Sequence, residues 1–319
     1  MHRRRSSGSG FIPAGCLSTV LLIAASCAAP PAPAPRQTLK VMVYQQANDG
    51  VPEMLAQAFG ASLPEVDVEV QRGGSSSNSV EAVQRGDADV AIAGADSVYL
   101  GSVGQLDGQS APFDHPRAIA VLQPRLIQLV IGKGSSIESV EGLRGHRVGF
   151  SGPTASIIPL VLEAFGLGNG GVELVPMEVS DKLARLIDGR LEAGFFYGTY
   201  PLDEINAAVR AGSRLLPLAG PAIDRLRERY PFLRPIEIPN GVDDGRTLKT
   251  IGLNLVLICR SDLDELTVRA ITKAFFDALP ALSALDASFR YVDLEQAPAT
   301  PVALHAGAAR FYRERELAR

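Results

Sequence analysis

Residues 85–93 read RGDADVAIA and residues 188–197 read DGRLEAGFFY. Both place a glycine among charged residues and follow it with a short apolar run, the pattern of a helix that ends and leads directly into a strand. Working back from the first, 80–85 reads as a helix, 73–79 (GGSSSNS) as a loop, and 67–71 (DVEVQ) as a strand; 52–59 is a helix, 45–50 a polar tip and 40–44 (KVMVY) a strand. Working back from the second, 181–187 is a helix, 172–175 a strand, 157–165 an apolar helix, 151–156 (SGPTAS) a polar tip and 146–150 (HRVGF) a strand. The same order of elements occurs twice. This alternation specifies an α/β fold with largely parallel strands in two similar lobes. The segment 118–132 holds two β-like runs and 250–259 (TIGLNLVLIC) another, with helices over 263–279 and about 302–317. If the first carries the chain into the second lobe and the last returns it, 38–121 and 250–319 form a discontinuous lobe I and 122–249 forms lobe II.

The composition agrees with a globular body. Of 319 residues 46% are hydrophobic and 21% charged, which excludes extended disorder, collagen and coiled coil. The net charge is −4, and no basic run follows residue 5, so no nucleic-acid partner is expected. Arg3, Arg4 and Arg5 precede a mostly apolar run at 11–25, too short for a membrane span and interrupted by Pro13 and Gly15; it reads as an export signal. Ala24, Ala25 and Ser26 lead into Cys27 in a pattern that resembles the lipobox of bacterial lipoproteins, with Ala24 in place of the usual Leu. Signal cleavage after residue 26 and lipidation of Cys27 would anchor the chain to a membrane, and the Pro/Ala-rich 27–37 would be a semi-rigid tether. The remaining body would carry 28 basic against 35 acidic side chains.

No catalytic or cofactor motif survives inspection. There is no G-x-x-x-x-G-K-S/T loop, H-E-x-x-H helix or G-x-S-x-G elbow. Residues 132–135 (GKGS) read as a turn after a strand. Residues 166–171 (GLGNGG) match G-x-G-x-x-G in letters, but the run follows a helix and precedes a strand, the reverse of the dinucleotide fingerprint, and reads as a helix cap and loop. His115, His146 and His305 stand apart from one another in solvated or structural roles, and Cys259 reads as a buried small hydrophobe. No cofactor, no metal and no enzymatic activity are expected.

The polar tips carry the functional signal. They fall where strands end and helices begin, which is where ligands enter an open α/β sheet, and helix N-termini present free N–H groups to an anion. The small residues of 73–79 and 151–156 allow close approach and add hydroxyls, a set suited to a carboxylate or similar oxyanion. Taken singly, these Ser, Thr and Asn residues equally suit helix capping. Arg72, Arg125 and Arg147 lie near the tips as carboxylate partners or as solvated surface charges.

Residues 74–96 (GSSSNSVEAVQRGDADVAIAGAD), 143–167 (LRGHRVGFSGPTASIIPLVLEAFGL), 215–239 and 302–314 (VALHAGAARFYRE) resemble the TAXI solute-binding proteins of tripartite ATP-independent periplasmic (TRAP) transporters. The sequence departs from that family at the tip 44–50 (YQQANDG) and at 240–245 (NGVDDG). The resemblance implies a type II periplasmic-binding-protein fold, two similar α/β lobes joined by a hinge with a ligand cleft between them. It implies a monomer that captures a small organic anion, an amino acid or a dicarboxylate such as glutamate or 2-oxoglutarate, by hinge closure and delivers it to a TRAP-type permease. A sensing module for a receptor, or a subunit of an ABC-type system, would use the same fold. The residues expected around the cleft are Tyr44, Gln45, Gln46, Gly74, Ser75, Ser76, Asn78, Asp96, Ser151, Thr154, Ser156, Tyr197 and Tyr200. Tyr197 and Tyr200 equally suit the core or the lip, and Asp96 is either an acceptor for an ammonium or hydroxyl or a helix cap.

Overall fold

The alternating sequence of Gln37–Val43 buries Leu39, Val41 and Val43 on one face and makes the first strand, β1. In this computed structural model residues 36–43, 50–151, 155–199, 203–238 and 247–317 are described. Residues 1–35, which hold the expected export signal and lipidation site, and residues 44–49, 152–154, 200–202, 239–246 and 318–319 lie outside them.

After β1 come α1 (Gly50–Ser62), β2 (Val66–Arg72), α2 (Ser76–Arg85), β3 (Val90–Gly94) and α3 (Ala95–Ser102). The chain then crosses on β4 (Pro116–Ile131) and builds β5 (Arg147–Phe150), α4 (Ile158–Ala164), β6 (Glu173–Pro176), α5 (Val179–Ile187) and β7 (Ala193–Gly198). Next are α6 (Asp203–Arg210), β8 (Arg214–Leu216), α7 (Pro221–Arg229) and β9 (Arg234–Ile238). It returns on β10 (Leu248–Arg260) and ends in α8 (Glu265–Leu285) and α9 (Ala306–Leu317).

The strands share one mixed sheet, ordered β2-β1-β3-β10-β4-β7-β5-β6, with β8 on β4 and β9 on β10. Both outer triplets are parallel and have their first strand in the middle. Between them β4 and β10 run antiparallel to each other and to β7 and β3. The expected pair of runs at 118–132 is thus one strand of 16 residues. Its partner β10 shifts register between Asn254 and Val256 and again between Leu257 and Ile258, so the ladder is bulged where the two crossings meet.

The core has two sides. On one, α1, α8 and α9 cover the first half through Val51, Leu55, Phe59, Val268, Ile271 and Phe275. Tyr312 fastens α9 by donating its hydroxyl to the Ile119 carbonyl at 2.9 Å. On the other, an apolar cluster runs from Val80, Val83 and Val98 into Val148, Ile158, Leu162, Leu226 and Phe232. It therefore joins the helices of the first half to those of the second. Residues 166–171 cap α4 and turn into β6: Gly166 lies at φ 70°, and its N–H donates to Glu163 at 2.9 Å while that of Leu167 donates to Leu162 at 2.8 Å.

Candidate functional site

The N-terminus of α2 begins at a serine because the hydroxyl replaces the backbone acceptor that the first turn lacks. Ser75 Oγ accepts from the Asn78 N–H at 3.2 Å, and Asn78 Oδ1 accepts from the Ser75 N–H at 3.1 Å, a reciprocal capping box. Capping thus accounts for Ser75 and Asn78, both exposed, as does the bend at the exposed Gly74. Ser76, next along, is half-buried and accepts from the Gly94 N–H at 2.9 Å, tying the tip of α2 to the end of β3.

Asp96 follows in the first turn of α3 and is 6% exposed. Burial pushes its carboxyl above the ordinary range, opposed by hydrogen bonds from the Ser97 backbone, the Ser156 hydroxyl and its own N–H. The Ser156 hydroxyl donates to it at 2.9 Å from the loop that follows β5. This bond spans the two halves of the chain. A second bridge lies nearby, where the Tyr99 ring of α3 sits 5.5 Å from that of Phe232 just before β9.

At the other half's strand tips, half-buried Ser151 follows the last residue of β5 and its Oγ accepts from Lys182 Nζ at 3.1 Å. Lys182 sits mid-α5 with 0% exposure. Its ammonium also donates to the Phe195 carbonyl at 2.7 Å and stands 4.2 Å from the centre of the Phe196 ring. Burial lowers its pKa to about 8, against the field of Glu178, which raises it. Tyr197, on β7, is half-buried and packs against the main apolar cluster. Tyr44, Gln45, Gln46, Thr154 and Tyr200 lie outside the described residues, as does Cys27.

Among the described residues, then, Ser75, Ser76, Asn78, Asp96 and Ser156 gather at one junction. Ser151 shares its loop with Ser156 but is held by Lys182. Three polar side chains went unnoticed in the sequence. Lys182 lies in a segment read only as a helix, and Gln123 and Gln128 lie in runs read only as strands. Gln123 is fully buried, with neither amide atom partnered among the described residues, and Gln128 leaves its buried Nε2 unpartnered. Arg147 is exposed and pairs with Glu173 at 3.1 Å.

Asp89, His146, His305 and Cys259 make contacts within the fold. Asp89 accepts from the Lys40 N–H at 2.7 Å and pairs with Arg260 at 3.1 Å. His146 pairs with Glu192 at 2.5 Å, and His305 Nδ1 accepts from the Gly307 N–H at 3.1 Å. Cys259 is free and fully buried, and burial pushes its thiol far up. No group of three or more His, Cys, Asp or Glu able to hold a metal occurs among the described residues. No helix among them is long and apolar enough to cross a membrane.

A family model described as "NMT1-like family" matches residues 51–315. Among solved structures, XAC2383 from Xanthomonas citri bound to ATP aligns with a TM-score of 0.55 at 11% identity, over 87% of this chain and 98% of that one. The same protein bound to chloride ion gives 0.52 at 12%, over 87% and 99%. The periplasmic aliphatic sulphonate binding protein SsuA from Escherichia coli aligns at 0.46 and 14%, over 88% and 84%. The sheet order and the two likenesses above 0.5 give a mixed α/β fold with a single mixed sheet, shared with XAC2383.

Proposed function

This chain belongs to the NMT1-like family, and from that premise we propose that it is an extracytoplasmic solute-binding protein, not an enzyme, that captures a small organic anion between two lobes. The lobes are 38–121 with 250–319, and 122–249. The observation that carries the reading is the Asp96–Ser156 hydrogen bond, which ties α3 of the first half to the tip after β5 in the second. A contact between polar tips of the two halves is what closure on a ligand would tighten, because a ligand that touches both halves favours the state in which they meet. Recognition is local: the body is acidic, so donors at the tips rather than bulk attraction select the anion.

The finer assignments rest on the sequence. Resemblance at 74–96, 143–167, 215–239 and 302–314 supports a TAXI-type subunit that delivers an amino acid or dicarboxylate to a TRAP permease. The leading segment supports export, removal of 1–26 and a lipid on Cys27, with 27–37 as the tether.

The test is a melting-temperature screen of the mature chain against amino acids, dicarboxylates and neutral sugars. A ligand at 100 times its Kd adds about 2.7 kcal/mol to the folded state, enough for a rise of several degrees. The expected result is a rise with glutamate, 2-oxoglutarate or a close relative. A midpoint that moves with a neutral sugar and with no acid would contradict the reading.

A further inference from the structure

We infer that Lys182, Ser151 and Gln128 form the subsite that receives the anionic group of the ligand, a carboxylate or an oxyanion of similar size. The inference rests on the solute-binding reading and locates the charge within it.

Three observations converge. First, the fold makes room for this lysine. Its stem passes Gly149 of β5 and Gly194 of β7, which are register partners. A Cβ on either would stand 3.0–3.1 Å from the Lys182 Cγ and Cδ atoms, closer than side chains pack. Second, the ammonium is buried with no carboxylate in direct contact among the described residues, and Glu178, just before α5, acts on it only through its field. The ammonium's partners are a hydroxyl, a carbonyl and a ring face, all neutral. Taking a charge out of water to meet only neutral groups is unfavourable, and an arriving anion would relieve it. Third, a further donor lies alongside. Gln128 of β4 is the register partner of Phe196, the residue whose ring faces the ammonium, so its side chain shares that face of the sheet. Its Nε2 is buried and has no acceptor among the described residues.

A bracing role alone does not explain the charge. Counting back seven residues from the joint glycine of each half, Gly86 and Gly189, reaches Ser79 and Lys182. Ser79 is also buried, and its hydroxyl simply donates to the Ser75 carbonyl at 3.3 Å. The helix-on-sheet packing is therefore met in the first half without any cation. What the second half adds is a positive charge held beside the end of β5, where the Ser151 hydroxyl accepts from it.

Among the described residues Glu178, just before α5, is the charged group that acts on Lys182; β5, β7 and β4 contribute Ser151, the glycines, the phenylalanines and Gln128, and α6 contributes the apolar Ile205, Ala208 and Val209, none of which titrates in the working range. With a free pKa of about 8, the ammonium would be held protonated by a bound anion. Binding above pH 8 would then draw in a proton, and affinity would fall by up to tenfold per pH unit there and stay level below.

The experiment is calorimetric titration of the mature chain with glutamate, 2-oxoglutarate and succinate, against glutamine as the probe lacking the second carboxylate. Each is run at pH 7.0 and 8.8 in two buffers of different ionisation enthalpy, on wild type, Lys182→Met and Gln128→Leu. For the acid that binds wild type best, Lys182→Met should weaken binding at least tenfold at pH 7 and Gln128→Leu several-fold. Wild type should take up a proton at pH 8.8, and the Met variant should not. Unchanged affinity in Lys182→Met, or no proton uptake by wild type, overturns the subsite while leaving the solute-binding reading intact. If none of the acids binds wild type, that reading falls and the subsite with it.

Discussion

The two halves of this molecule repeat one backbone plan and differ in what they put inside it. In the first half the parallel strands run β2-β1-β3, in the second β6-β5-β7, and in both the helix before the last strand ends at a left-handed glycine, Gly86 or Gly189, each at φ 78°. Beneath that helix the first half fills the sheet with side chains, Met42 opposite Ala91, and covers it with Ser79. The second half places Gly149 opposite Gly194 and threads Lys182 through the gap. The joint acids differ as well. Asp89 is 9% exposed and bonds both the Lys40 backbone and Arg260, whereas Glu192 is half-exposed and its carboxylate pairs with His146. The first half spends its polar groups on holding itself together; the second holds a charge in reserve at its strand tips.

The largest expected effect comes from the buried ammonium. Its native pKa of about 8 lies below the unfolded value of 10.5, so between those pH values the unfolded chain binds more protons and stability rises with pH. The burden is fully present below pH 8 and relieved toward 10.5, about 3 kcal/mol in all. Lys182→Met should therefore melt higher than wild type at pH 7, with the gap closing as pH approaches 10; equal melting at every pH would break the comparison. Next, Gly149→Met, which gives the second half the residue of the first, should cost roughly 3 kcal/mol by overpacking. Adding Lys182→Ser should recover a good part of it, measurable as a coupling energy in denaturant titrations.

Asp89→Ala should cost about 2–3 kcal/mol, because it leaves the Lys40 N–H without its acceptor and the partly buried Arg260 with only the more exposed Asp262 as a charge partner. Glu192→Ala should cost less than about 1 kcal/mol, since the pair it breaks is open to solvent. Similar losses at both joints would erase the distinction drawn between the halves. The smallest effect should be Asn78→Ala, about 1 kcal/mol from the lost capping box, with ligand affinity unchanged.

Much of the plan was legible in the sequence because it is written in local chemistry. The joints at Gly86 and Gly189, the cap at 166–171 and the alternation of strands and helices all follow from short-range periodicity and turn residues. Other features are set by distant partners. Nothing near β4 says that its 16 residues form one strand, since its continuity comes from β10, β7 and β8 pairing along it. The helix α3 follows β3 without a turn and with glycine as its cap, so no start signal marks it. Between 203 and 238, α6 does carry a helical spacing in its buried Ile205, Ala208 and Val209, whereas the short β8 and β9 are placed by pairing on β4 and β10. At the site, Ser75 and Asn78 followed the capping logic the sequence allowed. Lys182 was hidden because its burial depends on Gly149 and Gly194, far away in sequence. A lysine directly before the apolar Leu183, on a helix that faces two strand glycines, was the available signal.

The central claim is that an organic anion draws the two halves together. Small-angle X-ray scattering of the mature chain, with and without whichever acid raises its melting temperature, tests it most directly. The account predicts a smaller radius of gyration on saturation, and loss of that contraction in Ser156→Trp, whose bulk would hold the Asp96 junction apart. Saturable binding with an unchanged radius of gyration in wild type would contradict it.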